Sequence, residues 1–119
     1  VLFDQSGPGS VVSLWMALGG GPGPSLDGRL QVFYDGSSSP AIDIDFGTLL
    51  ATHWGAGEWA GTHSCHHVHA EIHSPSYNQG FLITFPMPFG DHIRMVYYNP
   101  SSNQTAWMFS MVTYELTAT

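Results

Sequence analysis

Apolar and polar positions alternate in short runs along this chain. Over Ala41–Phe46, Ile42, Ile44 and Phe46 fall on one side, and Asp43 and Asp45 on the other. Over Arg29–Tyr34, Leu30, Val32 and Tyr34 oppose Arg29, Gln31 and Phe33. A period of two marks a half-buried strand. With the runs rich in Val, Ile, Tyr, Phe and Thr, it predicts strands at Val11–Leu18, Arg29–Tyr34, Ala41–Phe46, His66–His73, Gly80–Met87, His92–Tyr98 and Thr105–Leu116. Val1–Phe3 is a candidate eighth. Clusters such as Ser6-Gly7-Pro8-Gly9-Ser10, Asp35-Gly36-Ser37-Ser38-Ser39-Pro40 and Asn99-Pro100-Ser101-Ser102-Asn103 break the chain between them. Gly47–Thr52 reads as one short helical turn. No segment keeps a 3.6-residue period for long, so little helix is expected. The pattern predicts an all-β fold, a single jelly-roll β-sandwich of about eight antiparallel strands. It spans residues 1–119, with residues 1–10 as an arm docking on a neighbouring subunit.

Composition narrows the function more than the fold. The 119 residues suit one domain, and 43% of them are hydrophobic, enough for a core without disulfide staples. Only 9% are charged, against about 25% in an average soluble domain. The net charge is -7 and the only cations are Arg29 and Arg94. A phosphate-backbone binder needs clustered Lys and Arg, so nucleic acid is excluded as a partner. An anionic membrane surface is excluded for the same reason. No apolar run approaches the roughly 20 residues of a membrane helix. Because the chain opens on Val1, it is expected to be processed or a piece of something longer. Scarce lysine with 14 Gly and 8 Pro points to an extracellular or cell-surface location.

The densest chemistry lies in Gly61-Thr62-His63-Ser64-Cys65-His66-His67-Val68-His69-Ala70-Glu71-Ile72-His73. If the segment is extended throughout, His63, Cys65, His67, His69, Glu71 and His73 share one face. Imidazole and thiolate are the usual ligands of Zn and Cu, so His63, Cys65, His67, His69 and His73 form a candidate metal set. The spacing of Gly61, His67, His69, His73 and Gly80 also resembles the first metal motif of the cupins, with His73 where those proteins carry Glu. The alternative is a polar outer strand face, or a histidine ladder at a subunit contact. Asp43 and Asp45 share a strand face, suited to flanking a sugar, binding Ca through oxygen ligands, or facing water. Trp54 and Trp59, in a glycine-rich segment, suit sugar stacking or an interface. Trp15 and Trp107, inside strands, are expected in the core. Asn103-Gln104-Thr105 is a glycosylation sequon. No Gly-x-Ser-x-Gly elbow and no phosphate-binding glycine loop is present.

Four stretches together resemble a known family: Gly7-Pro8-Gly9-Ser10-Val11-Val12-Ser13-Leu14-Trp15, Leu30-Gln31-Val32-Phe33-Tyr34-Asp35-Gly36, Pro40-Ala41-Ile42-Asp43-Ile44-Asp45-Phe46-Gly47 and Phe85-Pro86-Met87-Pro88-Phe89. They are similar to the amino-terminal jelly roll of the difructose-anhydride and α-fructofuranosidase type glycoside hydrolases, glycoside hydrolase family 172. The resemblance runs from about Gly7 to Glu115. It implies paired jelly rolls, assembly in the manner of capsid proteins, and hydrolysis of fructosides or arabinosides. The family's catalytic carboxylates follow this region, so no catalytic residue is carried onto this chain.

Two functions follow as expectations. The first is a structural subunit of an extracellular fibre or shell, polymerising head to tail through sheet edges and terminal segments. Its partners are copies of itself, through Val1, Leu2 and Phe3 or through Met108–Leu116. Scarce lysine supports this, because lysine is a common means of keeping sheet edges apart. The second is a carbohydrate-active protein, a hydrolase roll or a sugar-binding module, with glycans as partners.

Overall fold

The computed structural model describes residues 1–19, 28–49, 61–65, 67–74, 78–99 and 107–118. In chain order the elements are β1 (Phe3–Ser6), β2 (Gly9–Gly19), β3 (Arg29–Tyr34), β4 (Ile42–Asp45), α1 (Phe46–Leu49), β5 (Gly61–Cys65), β6 (Val68–Ser74), β7 (Asn78–Ile83), β8 (Met87–Phe89), β9 (His92–Tyr98) and β10 (Trp107–Leu116). Every strand pairing is antiparallel. A four-stranded sheet runs β1-β9-β3-β4; a six-stranded sheet runs β10-β2-β7-β6-β5, with β8 also on β2. The two form the β-sandwich that the alternation predicts.

The core follows from that alternation. Leu30 and Val32 of β3 and Ile93 and Met95 of β9 bury one face of the four-stranded sheet. Val11, Leu14 and Met16 of β2, with Phe81 and Ile83 of β7, answer from the other sheet. Phe46, the first residue of α1, is fully buried and sets its ring against Phe81 at 4.8 Å and Tyr97 at 5.7 Å. The helical turn therefore acts as a plug between the sheets. Burying such a ring contributes roughly 1.5–3 kcal/mol.

Several expected boundaries shift, each for a local reason. Arg29–Tyr34 and His92–Tyr98 match β3 and β9. The helical turn starts one residue earlier than Gly47 because Asp45 caps it, accepting the Thr48 N–H at 2.8 Å. Gly80–Met87 divides into β7 and β8, which flank successive parts of β2. Pro86, lacking an N–H, falls between them. The predicted strand His66–His73 is part of a hairpin: β5 runs up to Cys65, the chain turns at His67, and β6 returns. No Gly, Pro, Asn or Asp marks that reversal.

Residues 1–10 do not form an arm. Leu2 donates its N–H to the Met95 carbonyl at 2.8 Å, and β1 pairs with β9 from Phe3 opposite Met95 to Ser6 opposite His92. Leu2 and Phe3 pack against the core of their own chain. The segment expected to reach a neighbour instead closes its own four-stranded sheet.

Candidate functional site

The most unusual surface is built by β10. The strand stands at the end of the six-stranded sheet and pairs with β2 from Trp107 opposite Gly19 to Leu116 opposite Gly9. A register shift between Thr113 and Tyr114 sets two residues of β2 against one step of β10. Among the described β10 side chains, Val112 packs against the core. Met108, Phe109, Met111, Tyr114 and Leu116 are exposed, Phe109 and Met111 at 61% each. Odd and even positions are both represented, so the strand is apolar on both faces. Edge strands normally protect themselves with lysine, proline or shortness. This one is ten residues long, carries neither lysine nor proline, and has Glu115 as its one charged residue.

The same rim includes the edge of the other sheet. Phe3 of β1 meets the Tyr114 ring at 4.9 Å, which joins the two sheets along this side. Next to it, the Asp4 carboxylate contacts the His92 imidazole between β1 and β9.

Both arginines are engaged within the fold. Arg29 donates from Nε to Asp43 Oδ1 at 2.6 Å and from Nη2 to the Asp43 carbonyl at 3.0 Å. Arg94 lies over the Phe33 ring, 4.5 Å from its centroid. The Arg29 hydrogen bond holds the Asp43 carboxyl below the usual aspartate range. A glycosidase acid must stay protonated, which is the opposite perturbation. Asp45 is turned to α1, accepting from the Thr48 N–H and from Thr48 Oγ1 at 2.9 Å. The two carboxylates expected to flank a sugar or hold Ca are thus each engaged within the fold.

The hairpin also changes the histidine reading. An unbroken strand would place His63, Cys65, His67, His69 and His73 on one face. The register instead sets His63 opposite Ala70, Ser64 opposite His69 and Cys65 opposite Val68. Residues directly opposite share a side of the sheet, so His63 and His69 occupy positions on different sides. His67 sits exposed in the turn, where its carbonyl accepts the Thr84 N–H at 2.8 Å. His73 falls at the irregularity between Ile72 and Ser74. Among the described residues, no group of three or more His, Cys, Asp or Glu could hold a metal ion. For His63, Cys65 and His73 only the backbone register is described. Trp54, Trp59 and Asn103 lie outside the described residues.

Trp15, expected in the core, is 39% exposed on the outer face of β2, between the buried Leu14 and Met16. The Val11–Leu18 run is apolar almost throughout, so the sequence carries no sign of which side faces water. The register with β7 decides it.

A family model described as the GH172 first beta-sandwich domain matches residues 1–118. No curated protein and no solved structure matches the chain.

Proposed function

The chain belongs to the GH172 first beta-sandwich domain family, and from that premise we propose that it is a structural subunit that joins copies of itself through the β10 edge. The observation that supports this best is a ten-residue edge strand, apolar on both faces, without a lysine to keep a second strand away. An added strand would satisfy the outward N–H and C=O groups of β10, and apolar side chains would be buried above and below. A second copy suits this edge electrostatically. The net charge of -7 is a barrier to self-association, yet β10 contributes only Glu115 to it. The length suits it also: ten residues of strand span about 34 Å, enough to seat a partner strand along the edge.

The contact geometry decides the product. Two β10 strands meeting each other close a twofold dimer. The six-stranded sheet ends in β10 on one side and β5 on the other. A β10-to-β5 contact continues the sheet from copy to copy, and strand twist turns the row into a helical filament. This is the arrangement proposed, as an extracellular fibre or shell. The test is Phe109→Lys with Met111→Lys in the native polypeptide. Electron microscopy should show filaments for the unaltered protein and single particles for the double variant, with the same β-rich circular dichroism. Unaltered protein that stays single overturns the proposal.

Family membership favours a second reading, a carbohydrate-active roll that takes part in hydrolysis of fructosides or arabinosides. Turnover of such glycosides by single particles, with no filament formed, would support this reading over the first.

A further inference from the structure

The five methionines divide into two groups. Met16, Met87 and Met95 lie in the core at 1% exposure or less. Met108 and Met111 are 41% and 61% exposed, and both belong to β10. We infer that Met108 and Met111 form a peroxide-sensitive modification site, and that their sulfoxides close the β10 edge to an added strand. The second half of this inference rests on the assembly reading above; the first half does not.

Position gives the pair its effect. Met111 lies opposite Trp15, on the outer face of the six-stranded sheet. Met108 precedes Val112 by four residues along the regular part of the strand, so it takes the side that Val112 turns to the core. One thioether therefore stands on each side of the edge strand, where an added strand would bury apolar side chains. A thioether is apolar and flexible, which suits it to such a contact. Its sulfoxide is polar and chiral and disrupts methionine-rich interfaces. Covering that oxygen without a hydrogen-bond donor is unfavourable.

The chemistry needs only hydrogen peroxide. The sulfur lone pair attacks one peroxide oxygen, an S–O bond forms as the O–O bond breaks, and the other oxygen leaves as water. Sulfur gives up two electrons and the peroxide takes them. A methionine sulfoxide reductase reverses the step. The S–O bond then breaks, its oxygen leaves as water, and a dithiol is oxidised to a disulfide. A core methionine meets peroxide only when the fold opens around it, so burial delays Met16, Met87 and Met95.

The test treats the dilute native polypeptide with hydrogen peroxide at pH 7, removes the peroxide and concentrates the protein. Peptide mapping by mass spectrometry reads which sulfurs gained oxygen; light scattering reads particle mass. Met108 and Met111 should oxidise at least about tenfold faster than the other three methionines. The oxidised protein should stay near the mass of one chain while untreated protein gathers into large particles. Methionine sulfoxide reductase with a dithiol should restore the large particles; the dithiol alone should not, which separates this pair from Cys65. In a Met108→Leu, Met111→Leu double variant, treated and untreated samples should reach equal mass. Oxidation of all five methionines at similar rates overturns the inference, whether or not the protein assembles. So does oxidised protein that gathers as the untreated protein does, recovery with the dithiol alone, or a double variant that loses mass under peroxide. Protein that stays single before any peroxide overturns the assembly reading instead, and selective oxidation of that protein still supports the modification site.

Discussion

Asp35 joins two turns. Its φ is 53° and that of Gly36 is 78°, and Ser37 donates its N–H to the Tyr34 carbonyl at 3.0 Å. This is a tight turn with both central residues left-handed, a conformation that Asp and Gly tolerate. The Asp35 carboxylate accepts the N–H of Asp91 at 2.7 Å and of His92 at 3.0 Å, which fastens the end of β3 to the start of β9. Those backbone hydrogen bonds hold its pKa below the ordinary 3.8. A lowered carboxylate stabilises the fold above its unfolded pKa, and that contribution fades as pH falls through the folded value. Asp35→Ala should lower the melting temperature at pH 7, and the gap to the unaltered protein should narrow as pH falls below the ordinary 3.8. A constant gap down to pH 2 would contradict the linkage. Asp45→Ala, which removes the cap of α1, should cost about 1 kcal/mol in denaturant unfolding. Leu14→Ala, emptying a fully buried site, should cost about 2–5 kcal/mol in the same assay. The Tyr-Asp-Gly turn was legible in sequence because its residue types carry the backbone requirement. The exposure of Trp15 was not, because neighbours on both sides of it are apolar and only strand pairing chooses a face.

At the scale of elements, β3 and β9 were read to the residue. Alternation runs through most of each, and Gly28, Asp35-Gly36, Gly90-Asp91 and Asn99-Pro100 mark their ends. The β5–β6 hairpin was misread because a period-two pattern continues through the reversal, so a turn at His67 leaves no trace in polarity. That single turn puts His63 and His69 on different sides of the sheet in register. Val1, Leu2 and Phe3 were expected to assemble because they are apolar; Leu2 and Phe3 pack on the core of their own chain. Met108–Leu116, the other segment expected to assemble, exposes Met108, Phe109, Met111, Tyr114 and Leu116 while Val112 packs inward. A lysine at Met111 should interfere with an added strand while leaving the β2 pairing intact. The particle mass should then fall to that of one chain, with a melting temperature within a few degrees of the unaltered protein, as expected for surface substitutions within about 0.5 kcal/mol. A large loss of melting temperature would show instead that Met111 supports its own fold.

At the scale of the molecule, low charge and an open apolar edge work in the same direction. The low charge was visible in composition; that an apolar strand stands at the end of a sheet, among the described residues, required the sheet order. The measurement that bears most directly on the central claim is the solution mass of the unaltered polypeptide at pH 7, by light scattering coupled to size separation. A broad series of large multiples of the single-chain mass is the predicted result. A single sharp species of one chain, across a wide range of concentration, would contradict it.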